Sequence, residues 1–219
     1  LDPENPALYS SLGGIYFLEG KYLTAAELFH QSIGNQPTPQ AYANAGTLYY
    51  FGGSYAQARA MFERAAALSP GDYRYHAFLG ESILSAEDGG LEAARPHFEQ
   101  AIELAHATLD INPEDHLVRA AMASYLATLG DQAAARKELT RLATIEHADM
   151  ETLHAMGLTH LALGQTALAR ADFEAAIGAG YPRKLLHDDP RTRPLFEQQP
   201  ADSAADSAQF PPPTTRQPS

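Results

Sequence analysis

The residues of this chain best suited to chemistry are its nine histidines and a run of adjacent acids. Metal-dependent peptide hydrolysis asks for two histidines four apart on one helix face, with a glutamate after the first. No His-Glu-x-x-His occurs, and His154 and His160 stand six apart, which on a helix places them on different faces. His187-Asp188-Asp189 has the composition of an acid/base or metal cluster. It abuts Pro190, however, and aspartates in such settings bond nearby backbone amides, so we read it as a turn or helix cap. The glycine pairs Gly13-Gly14, Gly52-Gly53 and Gly89-Gly90 lack the preceding strand and the lysine of a phosphate loop. The absence of cysteine excludes disulfides, thiolate-bound zinc and a thiol nucleophile. The residues thus predict no catalytic group, no cofactor site and no metal site. The chain reads as a non-enzyme.

The elements that must carry these residues repeat. An apolar residue followed by glycine recurs as Leu12-Gly13, Ala45-Gly46, Leu79-Gly80 and Met156-Gly157, with the first two glycines 33 residues apart and the next two 34. A period near 34 marks stacked helix-turn-helix units. In the first unit Tyr9, Leu12, Gly13 and Tyr16 form one face of an amphipathic helix. Gly20 ends that helix, and Ala25, Phe29 and Ser32 mark a second one that stops before Pro37. The second unit repeats the arrangement from Tyr42 to Pro70, with Gly46 and Phe62 in the places of Gly13 and Phe29. A glycine on one helix and an aromatic on the other predict close antiparallel packing. Unit three keeps Leu79, Gly80 and Phe98, but its turn is about two residues longer and its terminating proline, Pro113, comes roughly two helical turns late. Unit four replaces the glycine by Ala123, and unit five restores the pattern through Gly157, Phe173 and Pro182, with His160 in the packing position of Tyr16 and Tyr49.

These residues resemble the tetratricopeptide repeat (TPR) family, whose pattern is an aromatic, Leu-Gly, Tyr, then Ala, Phe, Ala and a closing Pro. The resemblance covers residues 6 to 182. It implies an all-α fold, a right-handed superhelical solenoid of about five units spanning 6–38, 39–72, 73–115, 116–149 and 150–182. The family tryptophan is replaced by Tyr9, Tyr42, His76, Arg119 and Leu153, and Arg119 leaves the packing of unit four the most open. Residues 183–199, with Leu185, Leu186, Leu195 and Phe196, are expected to cap the last unit. Residues 200–219 are poor in apolar side chains and are expected to be disordered. Leu1-Asp2-Pro3 looks like Leu68-Ser69-Pro70, so residues 1–5 read as the end of a truncated upstream repeat. The long third unit and the ending from Gly180 to Phe196 further resemble C-terminal TPR arrays of large bacterial signalling proteins, which follow kinase, cyclase or winged-helix domains.

The resemblance implies a function in protein binding, with the first helix of each unit lining a concave groove for a peptide or partner domain. Its inward positions correspond here to Phe17, Asn44, Thr47, Tyr50, Arg74, Phe78 and Glu81, with Ser10 and Ser11 beside them. Asn44 is placed to hold a peptide backbone, since an amide both donates and accepts. Arg74 could meet a ligand carboxylate, or pair with Glu81 or with Asp72. A net charge of −12 argues against nucleic acid as partner. No stretch approaches the roughly 20 apolar residues of a membrane span. The expected partner is a protein or peptide. The alternative is a structural role, in which the array self-associates as a homodimer or makes an intramolecular regulatory contact. A chain without cysteine suits a bacterial cytoplasm or periplasm equally.

Overall fold

The structure, a computed structural model, describes residues 12–17, 19–34 and 37–197. Tyr9, Ser10, Ser11, the 1–5 start and the 200–219 tail lie outside the described residues. Every regular element among the described residues is a helix. The first, α1, is described over 12–17. It is followed by α2 (Tyr22–Ile33), α3 (Pro39–Phe51), α4 (Tyr55–Leu68), α5 (Tyr73–Ser85) and α6 (Leu91–Ile111). Then come α7 (His116–Thr128), α8 (Gln132–Leu142), α9 (Met150–Ala162), α10 (Thr166–Gly178), α11 (Arg183–Asp188) and α12 (Arg193–Glu197). Helices α3 and α4, α5 and α6, α7 and α8, and α9 and α10 pack as pairs. The pairs stack into an α-solenoid through α2 on α3, α4 on α5, α6 on α7 and α7 on α9.

The first helices of the pairs start alike. Thr38, Asp72, Asp115 and Asp149 each turn a side-chain oxygen onto a free amide of the first turn of α3, α5, α7 and α9. The turns inside the pairs are also alike. Gly20, Gly53, Gly130 and Gly164 have φ between 72° and 88°, and the following amide bonds back to the carbonyl of Tyr16, Tyr49, Leu126 or His160. That closure needs a left-handed residue, which is why glycine recurs there. The third pair lacks it: five residues separate α5 from α6, against three between α3 and α4. Its second helix runs 21 residues, against 14 in α4.

Small residues on the first helix let the second come close. A Cβ built on Gly46 would stand 2.7 Å from the Phe62 ring, and one on Gly157 would stand 2.6 Å from Phe173. Gly13 against Phe29 and Gly80 against Phe98 repeat the arrangement. Phe62, Phe98 and Phe173 are buried accordingly. In the fourth pair Ala123 takes the glycine position while Leu139 takes that of the aromatic, so both sides change together. Arg119, the residue that left this pair open, is accommodated by charge. It donates to Glu138 of α8 at 2.7 Å and to the Pro113 carbonyl at 2.5 Å, and Arg141 reaches the same glutamate at 3.1 Å. Both Arg119 and Glu138 are nearly buried, so an ion pair fills the place of the family's aromatic.

Candidate concave groove

One position of the first helix recurs along the inner face. Thr47 on α3, Glu81 on α5, Ser124 on α7 and Leu158 on α9 occupy it, and Tyr50, Leu84, Ala127 and Leu161 lie one turn further on. Glu81, Leu84, Ser124, Ala127, Leu158 and Leu161 all line one cavity of about 510 Å³, so these helices share a concave wall. Pro190 and Arg191, from the link between α11 and α12, line the same cavity. The C-terminal segment therefore does more than cover the last pair. It enters the groove.

Its outer part is an apolar anchor. Leu186, Leu195 and Phe196 are buried with Ala169 and Phe173 of α10, and Leu185 is half-buried. The Phe173 and Phe196 rings lie 6.1 Å apart, and Arg170 donates to the Leu195 carbonyl at 2.6 Å. Its inner part is charged. Asp189 accepts from the Arg191 amide at 2.8 Å and from its guanidinium at 2.6 and 3.1 Å, which makes the turn self-contained. The far side of the guanidinium binds the Glu81 carboxylate, and its carbon lies 5.9 Å from the Tyr50 ring. Thr192, fully buried, donates to the Leu186 carbonyl at 2.5 Å and closes the loop. At the other extreme of the solenoid the Tyr22 hydroxyl donates to Asp188, and Lys184 also binds that carboxylate at 2.7 Å. The segment thus connects the last helix pair to the first.

The charges respond to this burial. Desolvation alone would raise the Asp189 carboxyl, but the Arg191 guanidinium holds it below the usual carboxylate range. Desolvation raises Glu81 despite the opposing pull of Arg191. Burial would lower Arg191, yet Asp189 and Glu81 together keep it well above its ordinary value. His154 on α9 lies flat against Tyr181, ring centroids 4.4 Å apart at 9°. Burial, reinforced by the charge of Arg191, lowers its pKa to about 4, and its buried Nε2 has no partner among the described residues.

The expected groove residues divide into three groups. Phe17, Asn44 and Thr47 come together, with Gly14, Phe29 and Leu48, around an open pocket of about 210 Å³ between α1 and α3. Gln40 donates to the exposed Asn44 amide oxygen at 2.7 Å, and Thr47 donates to its own helix at Ala43. Tyr50 and Glu81 form the second group, facing Arg191. Tyr50 is buried in the core, its hydroxyl 3.2 Å from Ser85 and its ring against Phe51 and Tyr55. The remaining two stand apart. Phe78 packs on Phe62 with ring centroids 5.0 Å apart, and Arg74 is clasped by Asp72 at 2.6 and 2.9 Å, the second of the pairings open from sequence. His160, expected as a packing residue, hydrogen-bonds Asp172 of α10 at 2.5 Å. Asp189 caps a turn as its sequence implied, whereas Asp188, read with it as part of the same cap, binds Tyr22 and Lys184, and neither Tyr22 nor Arg191 had been singled out. The clue to Arg191 was an Asp-x-Arg triplet carrying both halves of an ion pair across a proline.

Residues 43–95 match a family model described as tetratricopeptide repeat, and residues 151–179 match a second model of the same description. The chain carries tetratricopeptide repeats. Among solved structures, this TPR chain is similar to a thermophilic TPR protein of Thermus thermophilus. The two share 20% identity over 88% of this chain and 100% of that one, at a TM-score of 0.59, which shows a common fold. A tetratricopeptide repeat protein of Parabacteroides merdae is 17% identical over 89% of this chain and 86% of that one, at a TM-score of 0.43. No curated protein matches the chain in sequence. TPR arrays are in general modules of protein interaction, typically without catalytic groups of their own. Among the described residues of this one, no helix is long and apolar enough to cross a membrane.

Proposed function

We propose that this chain is a protein-interaction scaffold whose concave groove receives a segment of a partner protein or peptide. One observation carries the reading: the inner faces of α3 to α9 already hold a polypeptide turn, that of the chain itself, by a guanidinium, a carboxylate and an aromatic ring. A surface that holds a turn of its own chain through an arginine side chain has the chemistry to hold another. The free end of the groove is the pocket of Phe17, Asn44 and Thr47, where the exposed Asn44 amide can still pair with a main chain.

The test uses the full chain with Asn44→Ala and Thr47→Arg as bait in a native lysate, read by mass spectrometry beside wild type. Neither residue is in the buried core, so the helical circular dichroism should not change. Tyr50→Ala would be a poor probe, because Tyr50 is 5% exposed and supports the core. A protein captured by wild type and lost with the variant supports the groove. Equal capture by both would sink it.

A second reading, the intramolecular regulatory or self-association role, is favoured by the tie between Asp188 and Tyr22, 166 residues apart. Sedimentation over a wide concentration range separates its two forms. A size that stays monomeric fits closure within one chain, and growth with concentration fits a homodimer.

A further inference from the structure

The C-terminal segment is built in two parts of different chemistry, and only one of them is needed for capping. Leu186, Leu195 and Phe196 cover α10, which is what the end of a solenoid requires. Arg191, Asp189 and Glu81 add nothing to that cover. Burying Asp189 and taking most of Arg191 and Glu81 out of water carries a desolvation cost that an apolar turn of equal size would avoid. The turn is nonetheless internally neutralised, since Asp189 binds Arg191 through both the backbone amide and the guanidinium. What the groove itself supplies is Glu81 on one side and the Tyr50 ring on the other, a receptor for one planar cation. Nor does the turn fill the groove, for the cavity of about 510 Å³ remains beside Pro190 and Arg191.

We propose that Glu81 and Tyr50 form a guanidinium-binding site in the groove, that Arg191 occupies it as a displaceable internal ligand, and that the partner segment presents an arginine which takes its place. This rests on the reading of the concave face as the partner's groove. It also commits to the partner's chemistry: an arginine-bearing peptide, favoured further by the net charge of −12. Partner binding and occupation of the site by Arg191 are then mutually exclusive. The chain's resting state is the closed one.

The experiment uses the full chain and a fluorescein-labelled synthetic peptide copying residues 183–197, read by fluorescence anisotropy. Arg191→Ala leaves Asp189 and Glu81 facing each other without a counter-charge, so the internal turn should leave the groove. The variant should bind the peptide at least tenfold more tightly than wild type. That gain should vanish when the peptide carries alanine at the Arg191 position, or when Glu81→Gln is added to the chain. Equal binding of the arginine and alanine peptides by a folded variant overturns the proposal. Should Arg191→Ala fail to fold, Arg191→Lys keeps the charge but loses the forked geometry, and the same peptide comparison applies to it. In wild type, excess arginine peptide should also speed hydrogen exchange of the 188–192 amides, and unchanged exchange counts against displacement. The capture experiment with Asn44→Ala/Thr47→Arg keeps the two readings apart. Capture that depends on those residues, with no arginine preference in the peptide assay, removes the guanidinium site and leaves the groove standing.

Discussion

The two ends of the groove are built on the same helix register and stand in opposite states. Thr47 and Glu81 occupy one position of consecutive first helices, 34 residues apart. Thr47 returns its hydroxyl to the Ala43 carbonyl of its own helix and leaves an open, uncharged pocket beside it. Glu81 has no such local outlet. A largely buried carboxylate needs a donor from elsewhere, and Arg191 supplies it from 110 residues away. One side chain per repeat thus decides whether a level of the groove is left free or must be filled. None of the six residues around the open pocket is ionisable, whereas the closed end gathers Glu81, His154, Asp189 and Arg191. The repeat frame is common to both ends, and the difference between them is one of charge.

The comparison breaks most severely if the anchor of the closed end is removed. Leu186 is fully buried against the last helix pair, and truncating such a side chain costs about 2–5 kcal/mol. Leu186→Ala should therefore release residues 183–197, seen as loss of their amide protection in hydrogen exchange. Protection in α3, at the open end, should stay as it was. If both ends lose protection together, the groove is one cooperative unit and the contrast drawn between them fails.

Much of the frame was legible from residue spacing, because glycine, aromatic and turn positions follow from local steric rules that repeat. Gly46 against Phe62 and the two extra residues before α6 are of that kind. Arg119 was the residue least in keeping with the family, and its resolution by Glu138 needed knowledge of which face of α8 lies opposite. The inner-face positions were legible as positions, but what they touch was not. Arg74 was open between a ligand carboxylate, Glu81 and Asp72 and is held by Asp72, while Tyr50 looked like a ligand contact and is largely core. The C-terminal segment was readable as a cap from its four apolar side chains. Its return to Tyr22 and Glu81 depends on the curvature of the whole solenoid, which no local spacing encodes.

A smaller effect sharpens the contrast from the first helix pair. The Tyr22 hydroxyl binds the Asp188 carboxylate, and a net hydrogen bond to a charged, partly buried group is worth roughly 1.5–3 kcal/mol, with the exposed fraction pulling it toward the lower figure. Tyr22→Phe keeps the ring contacts with Phe17 and Phe51. Asp188 keeps Lys184, so the carboxylate is not orphaned. The variant should lower the thermal midpoint by a few degrees and raise exchange in α11 alone. A midpoint equal to wild type would mean that the tie across the solenoid contributes nothing to closure.

The smallest net effect is set by pH at His154. Its folded pKa of about 4 lies below the ordinary 6.5, through burial first and the nearby Arg191 second. Above 6.5 neither folded nor unfolded chain protonates this ring, and its contribution is fully present. As pH falls from 6.5 toward 4, the unfolded chain takes up a proton that the folded one refuses, so stability is lost across that window. At pH 5 the loss from this ring alone is about 2 kcal/mol. Glu81 works in the opposite direction, because its raised pKa lets the folded chain take a proton first and gain stability on acidification. The wild-type curve alone therefore mixes the two. His154→Phe preserves an aromatic face for Tyr181 and removes the titration of the ring together with its unpartnered Nε2. Thermal midpoints measured from pH 7 to pH 5 should fall more for wild type than for His154→Phe, and exchange corrected for its intrinsic pH dependence should rise in residues 183–197 while α3 holds steady. Parallel curves for the two proteins would show that the histidine is solvated or partnered in solution, and the charged end of the groove would then be less closed than its ion pairs imply.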